Sequence, residues 1–276
     1  MTSRVDYSLG PGGAFPKERC HRLEAGEVLN LEGRRASKVT ADGREEVLLS
    51  DVAGHGVQGD LTSSAEAVPG PGWVGFGSWT NEDKDPILLY RGAWIVPPPP
   101  EVDAGQAVFL TLGLQPTPNA RSMFGAVLQW GSGASGGSDR WGVSCWFQND
   151  SLRTYSSLLG ADPGDRIEAC VQRAIHNAYG SEWRCTASVA GSRKAETTLP
   201  IQAHLEFSWA FAAFEAYSSA FSCEQVPNAR ETLFESLELR SGENRLAPDW
   251  KSTVEFEECG TRVDVVSPAE ICIYFR

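Results

Sequence analysis

The chain has 276 residues with 28 glycines, 16 prolines and 9 tryptophans, and its formal net charge is −12. A chain of this length can bury a large core, and its many turn-forming and aromatic residues favour a β protein over a helical one. The negative charge and the scattered lysines and arginines argue against a nucleic-acid partner, because a phosphate backbone requires a basic surface. The sequence has no apolar run long enough to span a membrane, so no membrane partner is expected.

The first 70 residues are polar and interrupted by glycines, and their clearest strand candidate is EEVLLS at residues 45–50. Three interpretations stay open for residues 1–70: a pro-segment, an arm packed on the main body, or extra strands. The segment begins without the hydrophobic core of a signal peptide. The location stays open as well, with a secretory one slightly favoured if a signal has been removed and a cytoplasmic one otherwise.

From Pro71 onward, short runs of aromatic and β-branched residues alternate with turn residues, which is typical of a β-sandwich or barrel. We predict that residues 71–276 form one all-β domain, an antiparallel β-sandwich. The connector at residues 131–138, GSGASGGS, is interpreted as flexible. The predicted strands are residues 73–79, 87–96, 106–114, 123–130, 141–148, 166–173, 182–189, 193–199, 204–217, 233–240, 252–258, 261–266 and 270–275.

Two predicted strands each carry one polar side chain in an apolar run, Gln129 in FGAVLQWGSG and Glu215 in FSWAFAAFEAYSS. Such a group is costly to bury without a partner, so each is expected to have a structural or a chemical use. The structural alternatives are a sheet-face glutamine satisfied by backbone or water, and a capped or solvated acid at a strand end. Strand alternation, if no bulge interrupts it, predicts one shared face for Leu205, Phe207, Trp209, Phe211, Ala213 and Glu215.

The seven cysteines lack the spacing of a zinc site, so no metal is expected. Cys170 and Cys185 flank a predicted hairpin turn, where a cross-strand disulfide is geometrically possible. Cys259 and Cys272 could form a second bridge. The alternative is that some of these cysteines are buried as small apolar residues.

Several strands, taken in order, resemble the eqolisin family, the fungal glutamic peptidases. The resemblance covers roughly residues 71–276 and implies a concanavalin A-like jelly roll, in which a glutamine and a glutamate activate water. It places Gln129 on the family's catalytic glutamine. The matching segments are RGAWIVPPPP (91–100), VFLTLGLQ (108–115), FGAVLQWGSG (124–133), SCWFQND (144–150), GADPGDRIEACVQ (160–172) and WRCTASVAGSRKAETTL (183–199).

The glutamate strand departs from the family pattern. Aligning residues 208–215 without gaps matches the family's tryptophan and its Phe-Glu pair, and it places Ala212 at the catalytic glutamate position. Glu215 reaches that position only through a bulge or an insertion. A lone amide cannot carry out the proton transfers of peptide hydrolysis, although it can orient a substrate and polarise a carbonyl.

The sequence therefore predicts a cofactor-free enzyme on an old peptidase scaffold, acting on a small hydrophobic molecule. The expected reactions are a cyclisation, a pericyclic step, an isomerisation or a dehydration of fungal specialised metabolism, with Gln129 as hydrogen-bond donor. One alternative is an acid-active endopeptidase that uses Gln129 and Glu215, and another is a non-catalytic, lectin-like binding module. The aromatic residues expected to line the cleft are Trp79, Trp146, Phe147, Trp209 and Phe211.

Overall fold

The computed structural model describes residues 6–50, 72–83, 85–177, 180–190 and 195–276. Within these ranges the chain forms one hairpin and two large sheets, and the two sheets pack on each other. The hairpin consists of β1 (Tyr7–Gly10) and β2 (Gly13–Pro16). No helix in the described ranges is long and apolar enough to cross a membrane.

The nine-stranded sheet carries both Gln129 and Glu215. Its strands, in spatial order, are β20 (Lys251–Val254), β7 (Gly72–Thr80), β17 (Trp209–Tyr217), β9 (Ala107–Gln115), β10 (Met123–Trp130), β11 (Trp141–Gln148), β12 (Arg153–Tyr155) and β3 (Cys20–Arg22), and β13 (Leu159–Ala161) pairs with β11 beside them.

The eleven-stranded sheet forms the second layer of the sandwich. Its strands, in spatial order, are β21 (Arg262–Ser267), β22 (Glu270–Tyr274), β18 (Glu231–Ser241), β8 (Leu89–Ile95), β14 (Arg166–Asn177), β15 (Gly180–Ala190), β16 (Ala195–Ala203), β4 (Val28–Glu32), β5 (Arg35–Val39) and β6 (Glu45–Leu49), and β19 (Asn244–Leu246) pairs with β18. The predicted all-β sandwich is confirmed, and every strand predicted beyond residue 71 has an observed counterpart.

Side-chain alternation in the nine-stranded sheet gives it two apolar faces. In β9, Val108, Leu110 and Leu112 belong to the core between the sheets, whereas Ala107 and Phe109 belong to a separate cluster. We call the side that carries this second cluster the outer face. An apolar face on a sheet needs a cover, and here the β1–β2 hairpin packs on it through Leu9.

The N-terminal segment adds strands to both layers. β3 pairs in parallel with β12 in the nine-stranded sheet, and β4 pairs in parallel with β16 in the other sheet. β5 and β6 continue from β4 as an antiparallel meander, and β6 coincides with the predicted EEVLLS strand. Residues 51–71 lie outside the described ranges, so the domain boundary at residue 70 stays a prediction.

The alternation predicted for residues 204–217 holds only from Trp209 onward. Leu205 and Phe207 belong to the core between the sheets, whereas Trp209, Phe211 and Ala213 belong to the outer-face cluster. The reason is that the strand begins at Trp209, and the residues before it are not extended in the sheet. The predicted common face for all six residues was therefore wrong at its first two positions.

The disulfide of the described residues joins Cys223 to Cys259, with Cα atoms 5.2 Å apart. Both predicted pairings are wrong. Cys170 lies opposite Thr186 and Cys185 lies opposite Val171, so this offset of one residue directs the two thiols to opposite faces of the sheet. Cys272 is likewise free, because its predicted partner Cys259 is bonded to Cys223.

Candidate functional site

Gln129 and Glu215 lie in one row across three strands of the nine-stranded sheet. Phe109 in β9 is the register partner of Gln129 on one side and of Glu215 on the other. Neighbouring strands are about 5 Å apart, so the two polar residues are separated by about 10 Å across Phe109. Both belong to the outer face, since residues two positions away from each of them lie in its apolar cluster.

The position of Glu215 follows from regular alternation in β17. The register between β17 and β7 shifts at Glu215, but the extra residue lies in β7, where the pairing passes from Gly75 to Trp73. β17 therefore keeps its parity from Trp209 to Tyr217. Ala212 points into the core between the sheets. The ungapped alignment, which set Ala212 at the family's glutamate position, thus names a residue that does not share a face with Gln129, whereas Glu215 does.

Glu215 is a fully buried acid whose two carboxyl oxygens differ in their hydrogen bonds. Its Oε2 accepts hydrogen bonds from the Gly12 N–H at 2.7 Å and from the Tyr217 hydroxyl at 2.8 Å. Its Oε1 is buried without a hydrogen-bond partner among the described residues. Burial raises the pKa of the Glu215 carboxyl, although the bonds from Gly12 and Tyr217 and the charge of Arg153 act in the opposite direction.

Gln129 uses its amide group to organise the loop that follows β10. Its Nε2 donates to the carbonyl oxygens of Gly131 at 2.7 Å and Gly136 at 2.6 Å, and its Oε1 accepts from the Ser135 hydroxyl at 2.8 Å. Residues 131–138, expected to be a flexible connector, are therefore tied to this side chain. With both amide hydrogens engaged, Gln129 has no donor free for a substrate in this arrangement, which does not support the donor role expected from the sequence.

The turn of the β1–β2 hairpin lies over the outer face between these groups. Gly12 contacts Glu215, and the Gly13 carbonyl accepts a hydrogen bond from Arg153 Nη1 at 2.6 Å. On the other side, the Ala134 N–H donates to the Leu9 carbonyl at 2.7 Å, so the hairpin also contacts the loop that Gln129 holds. The hairpin is therefore held on one side by Glu215 and Arg153 and on the other side by the loop that Gln129 organises.

A cluster of four aromatic rings covers one part of the outer face. Trp209 and Phe211, both predicted, stack with ring centroids 4.9 Å apart. Trp73 and Phe76 from β7 complete the cluster, with Trp73 lying 5.1 Å from Phe211 and 5.0 Å from Phe76. These rings form an apolar wall along β17, which carries Glu215, and along the neighbouring β7.

Trp146, also predicted, lies on the outer face on the opposite side of the row, 5.0 Å from Tyr155. Two other predicted cleft residues lie elsewhere. Phe147 and Trp79 pack on the core between the sheets, because each is one position out of phase with the outer-face residues of its strand. They are corrected to core residues.

The sequence interpretation missed two further polar residues near Glu215. Tyr217 follows Glu215 by two positions, so strand alternation could have identified it as a neighbour on the same face. Arg153 approaches from β12 and is only 5% exposed, and burial lowers its pKa to about 10. No local pattern marks Arg153, since its position depends on pairing between distant strands.

A concavity of about 600 Å³ lies on the eleven-stranded sheet. Two ion pairs lie in its lining, in which Arg91 Nε bonds Glu238 at 2.9 Å and Arg166 Nε lies 3.4 Å from Glu168. No group of three or more histidine, cysteine, aspartate or glutamate side chains in the described part of the chain could hold a metal ion. The outer face is therefore the stronger candidate site, because it combines a buried acid, a buried cation and aromatic walls.

The raised pKa of Glu215 predicts how stability changes with pH. The folded chain holds this proton more tightly than the unfolded chain, so the stabilising contribution is full below the ordinary value of 4.5 and is lost as pH rises through the raised pKa. In that window the free energy of unfolding of the wild type falls relative to Glu215→Gln, by up to about 1.4 kcal/mol per pH unit. Denaturant unfolding of both proteins from acid to neutral pH measures this, and a constant difference would contradict it.

Comparison with known proteins identifies structures of similar fold but no family and no related sequence. No protein-family model and no curated protein matches the chain. Two crystal structures of scytalido-glutamic peptidase do match, one with a peptide-based transition state analogue and one with a transition state analogue inhibitor. Each is 11% identical to this chain in sequence. The match covers 74% of this chain and 98% of the peptidase chain, with TM-scores of 0.51 and 0.52. Alginate lyase vAL-1 from Chlorella virus, at 10% identity, covers 78% of this chain and 100% of its own, with a TM-score of 0.23.

The chain thus shares the fold of a glutamic peptidase, which confirms the fold implied by the sequence resemblance. At this level of identity the likeness concerns the fold alone, and a fold hosts many functions. What the chain does has to be argued from its own residues.

Proposed function

We propose that the chain is a cofactor-free enzyme that converts a small hydrophobic molecule at the outer face of the nine-stranded sheet, with Glu215 as the proton-transferring group. The observation that carries the proposal is the buried Glu215 carboxyl, which lies beside the wall of Trp73, Trp209 and Phe211. One of its oxygens has no hydrogen-bond partner among the residues that the structure describes. An acid whose pKa is raised by burial holds its proton more tightly than an exposed acid, so it is suited to act as a general acid and then as a base.

The chemistry needs only this one carboxyl group. In its acid form Glu215 can protonate a substrate hydroxyl, which leaves as water, and its carboxylate can then take a proton from the neighbouring carbon, so that the net change is loss of water. Proton transfer to one carbon of an alkene, followed by loss of a proton from the carbon adjacent to the other alkene carbon, moves the double bond and gives an isomerisation. The aromatic rings would hold an apolar substrate in one conformation, which favours ring closure as well.

Gln129 takes a positioning role in this proposal. Its bonds to Gly131, Ser135 and Gly136 hold the loop that in turn contacts the hairpin. The hairpin turn lies against Glu215, so substrate entry requires this turn to move aside. Movements of loops and lids of this kind accompany substrate binding in many enzymes.

An acid endopeptidase is the second candidate, and it is favoured by one observation: Gln129 and Glu215 share a row and a face. Against it, the buried Phe109 lies between the two residues in the register, and the Gln129 amide is fully engaged. A dyad that activates one water needs both groups within reach of the same water.

One assay separates these functions. Purified protein is incubated with fractions of a hydrophobic small-molecule extract and, separately, with denatured casein at acid pH, and both are followed by mass spectrometry. We expect a small-molecule product of unchanged mass or of one water less, and intact casein. Casein cleavage would establish the peptidase, and a small molecule that is retained but never converted would establish a binding module.

A further inference from the structure

The guanidinium group of Arg153 is buried without full compensation. One of its contacts is a hydrogen bond from Nη1 to the Gly13 carbonyl at 2.6 Å, and another is the ring of Phe15, whose centroid lies 4.6 Å from the guanidinium carbon. Its Nε has no hydrogen-bond partner among the residues that the structure describes. A buried cation is destabilising unless it is paired and hydrogen-bonded. Packing alone therefore does not explain why an arginine occupies this position.

The hairpin turn separates Arg153 from the nearest buried acid. Instead of a direct ion pair between Arg153 and Glu215, the Gly12 N–H points to the carboxyl and the Gly13 carbonyl points to the guanidinium. The donor end of this short backbone segment faces the acid and its acceptor end faces the cation. Such an arrangement is favourable in a low-dielectric interior, since each charge meets the opposite end of a dipole.

The hairpin satisfies only part of the polar surface beneath it. On the outer face, buried atoms without a hydrogen-bond partner in the described part of the chain are Thr111 Oγ1, Gln148 Oε1, Arg153 Nε and Glu215 Oε1. Buried polar groups left unpaired are destabilising, and a different occupant that bonds to more of them would be favoured. The turn therefore leaves polar atoms of this surface unpaired that another occupant could bond.

We infer that Arg153 is a ligand-binding residue of the proposed site and that the group it selects is a carbonyl-type oxygen, whose place the Gly13 carbonyl now takes. This inference rests on the proposed function for placing the ligand at the outer face. A guanidinium has a planar fork of donors, so Arg153 can bond one ligand oxygen with Nη1 and a second with the adjacent Nη2. A neutral carbonyl and a carboxylate share this chemistry.

The test uses the full-length chain with its own turn loosened. In Gly12→Pro the Glu215 contact is lost because proline has no N–H, and proline cannot adopt the observed φ of 73°. We expect faster amide hydrogen exchange in residues 7–16 while the thermal unfolding transition persists. Loosening is needed because a tethered hairpin competes with any probe at an effective concentration of the order of millimolar. Unchanged exchange in the hairpin would overturn the inference.

The probe is an acetylated and amidated peptide of residues 7–16. Its matched control has an uncharged trans-alkene in place of the Gly13–Ala14 amide, which removes the Gly13 carbonyl without adding a charge. With Gly12→Pro, calorimetry should show binding of the probe and a loss of about tenfold or more for the alkene control, the difference made by one charge-assisted bond. With Arg153→Met added, the two peptides should bind equally, within about twofold. Absence of probe binding, or weaker binding of the alkene control that persists in Arg153→Met, would overturn the inference.

Two further arms complete the experiment. Arg153→Lys keeps the charge and loses the fork, so the alkene control should lose an intermediate amount of affinity. This variant also serves if Arg153→Met does not fold. A full loss in Arg153→Lys would contradict the role of the fork. A peptide that ends at Gly13, compared as free acid and as amide, identifies the source of the oxygen: tighter binding of the acid supports a carboxylate ligand, and equal binding supports a neutral carbonyl. Since nothing is turned over, these results do not depend on the reaction.

Discussion

Gly131→Ala is expected to lower the free energy of unfolding by about 3 kcal/mol or more, because two costs act together. Gly131 has a φ of 83°, which an alanine adopts only with strain. A Cβ built there would lie 2.0 Å from the Gln106 carbonyl oxygen, which belongs to the backbone and cannot turn away. The chain would have to separate the end of β10 from the start of β9, and the Gly131 carbonyl that Gln129 holds would move with it.

Gly136 provides the matched control within the same loop. Its φ of 99° imposes a comparable backbone strain, but a Cβ there would meet no atom within 4 Å. Gly136→Ala should therefore cost only about 1–2 kcal/mol. Guanidinium unfolding of the three proteins measures both values. Equal losses for the two variants would show that Gly131 is required for its φ alone and not for the close approach to Gln106.

Removing the disulfide with Cys223→Ser and Cys259→Ser together is expected to lower the free energy of unfolding by about 4 kcal/mol, the loop-closure value for a separation of 36 residues. The bridge connects the segment after β17, which carries Glu215, to the segment after β20 at the edge of the same sheet. Its loss should therefore loosen the sheet near the site. Unfolding of the variant, compared with that of the wild type, measures the effect.

Cys170→Ser is the control for this prediction. Cys170 is half-buried with a free thiol, and its replacement should change the free energy of unfolding by less than about 1 kcal/mol. If Cys170→Ser were as damaging as the double replacement, or if the double replacement had no effect, the assignment of the bridge to Cys223 and Cys259 would be contradicted.

The fold could be predicted because local sequence patterns indicate where each strand begins and ends. Runs such as residues 123–130 and 141–148 are bounded by turn residues, and the observed strands β10 and β11 have the same limits. Alternation also placed Trp209, Phe211 and Glu215 on one face. These signals depend on neighbouring residues in the chain, so they survive in the sequence alone.

What could not be predicted depends on register and on contacts between distant residues. Cys170 and Cys185 are offset by one residue in the strand register, so they do not face each other. A shift of one position along β11 likewise decides that Phe147 lies in the core and not on the outer face. The contact between Gly12 and Glu215 joins residues 203 positions apart. No local pattern encodes such a pairing, and for this reason the hairpin cover and Arg153 emerged only from the structure.

The central claim, that Glu215 performs the chemistry of this face, is tested most directly by the rate of small-molecule conversion in Glu215→Gln. A general acid–base residue contributes about a hundredfold or more, so we predict at least that loss, with the thermal unfolding transition retained. Glu206→Gln, which changes an exposed acid in the segment before β17, should convert at the wild-type rate. Conversion by Glu215→Gln at the wild-type rate would contradict the claim.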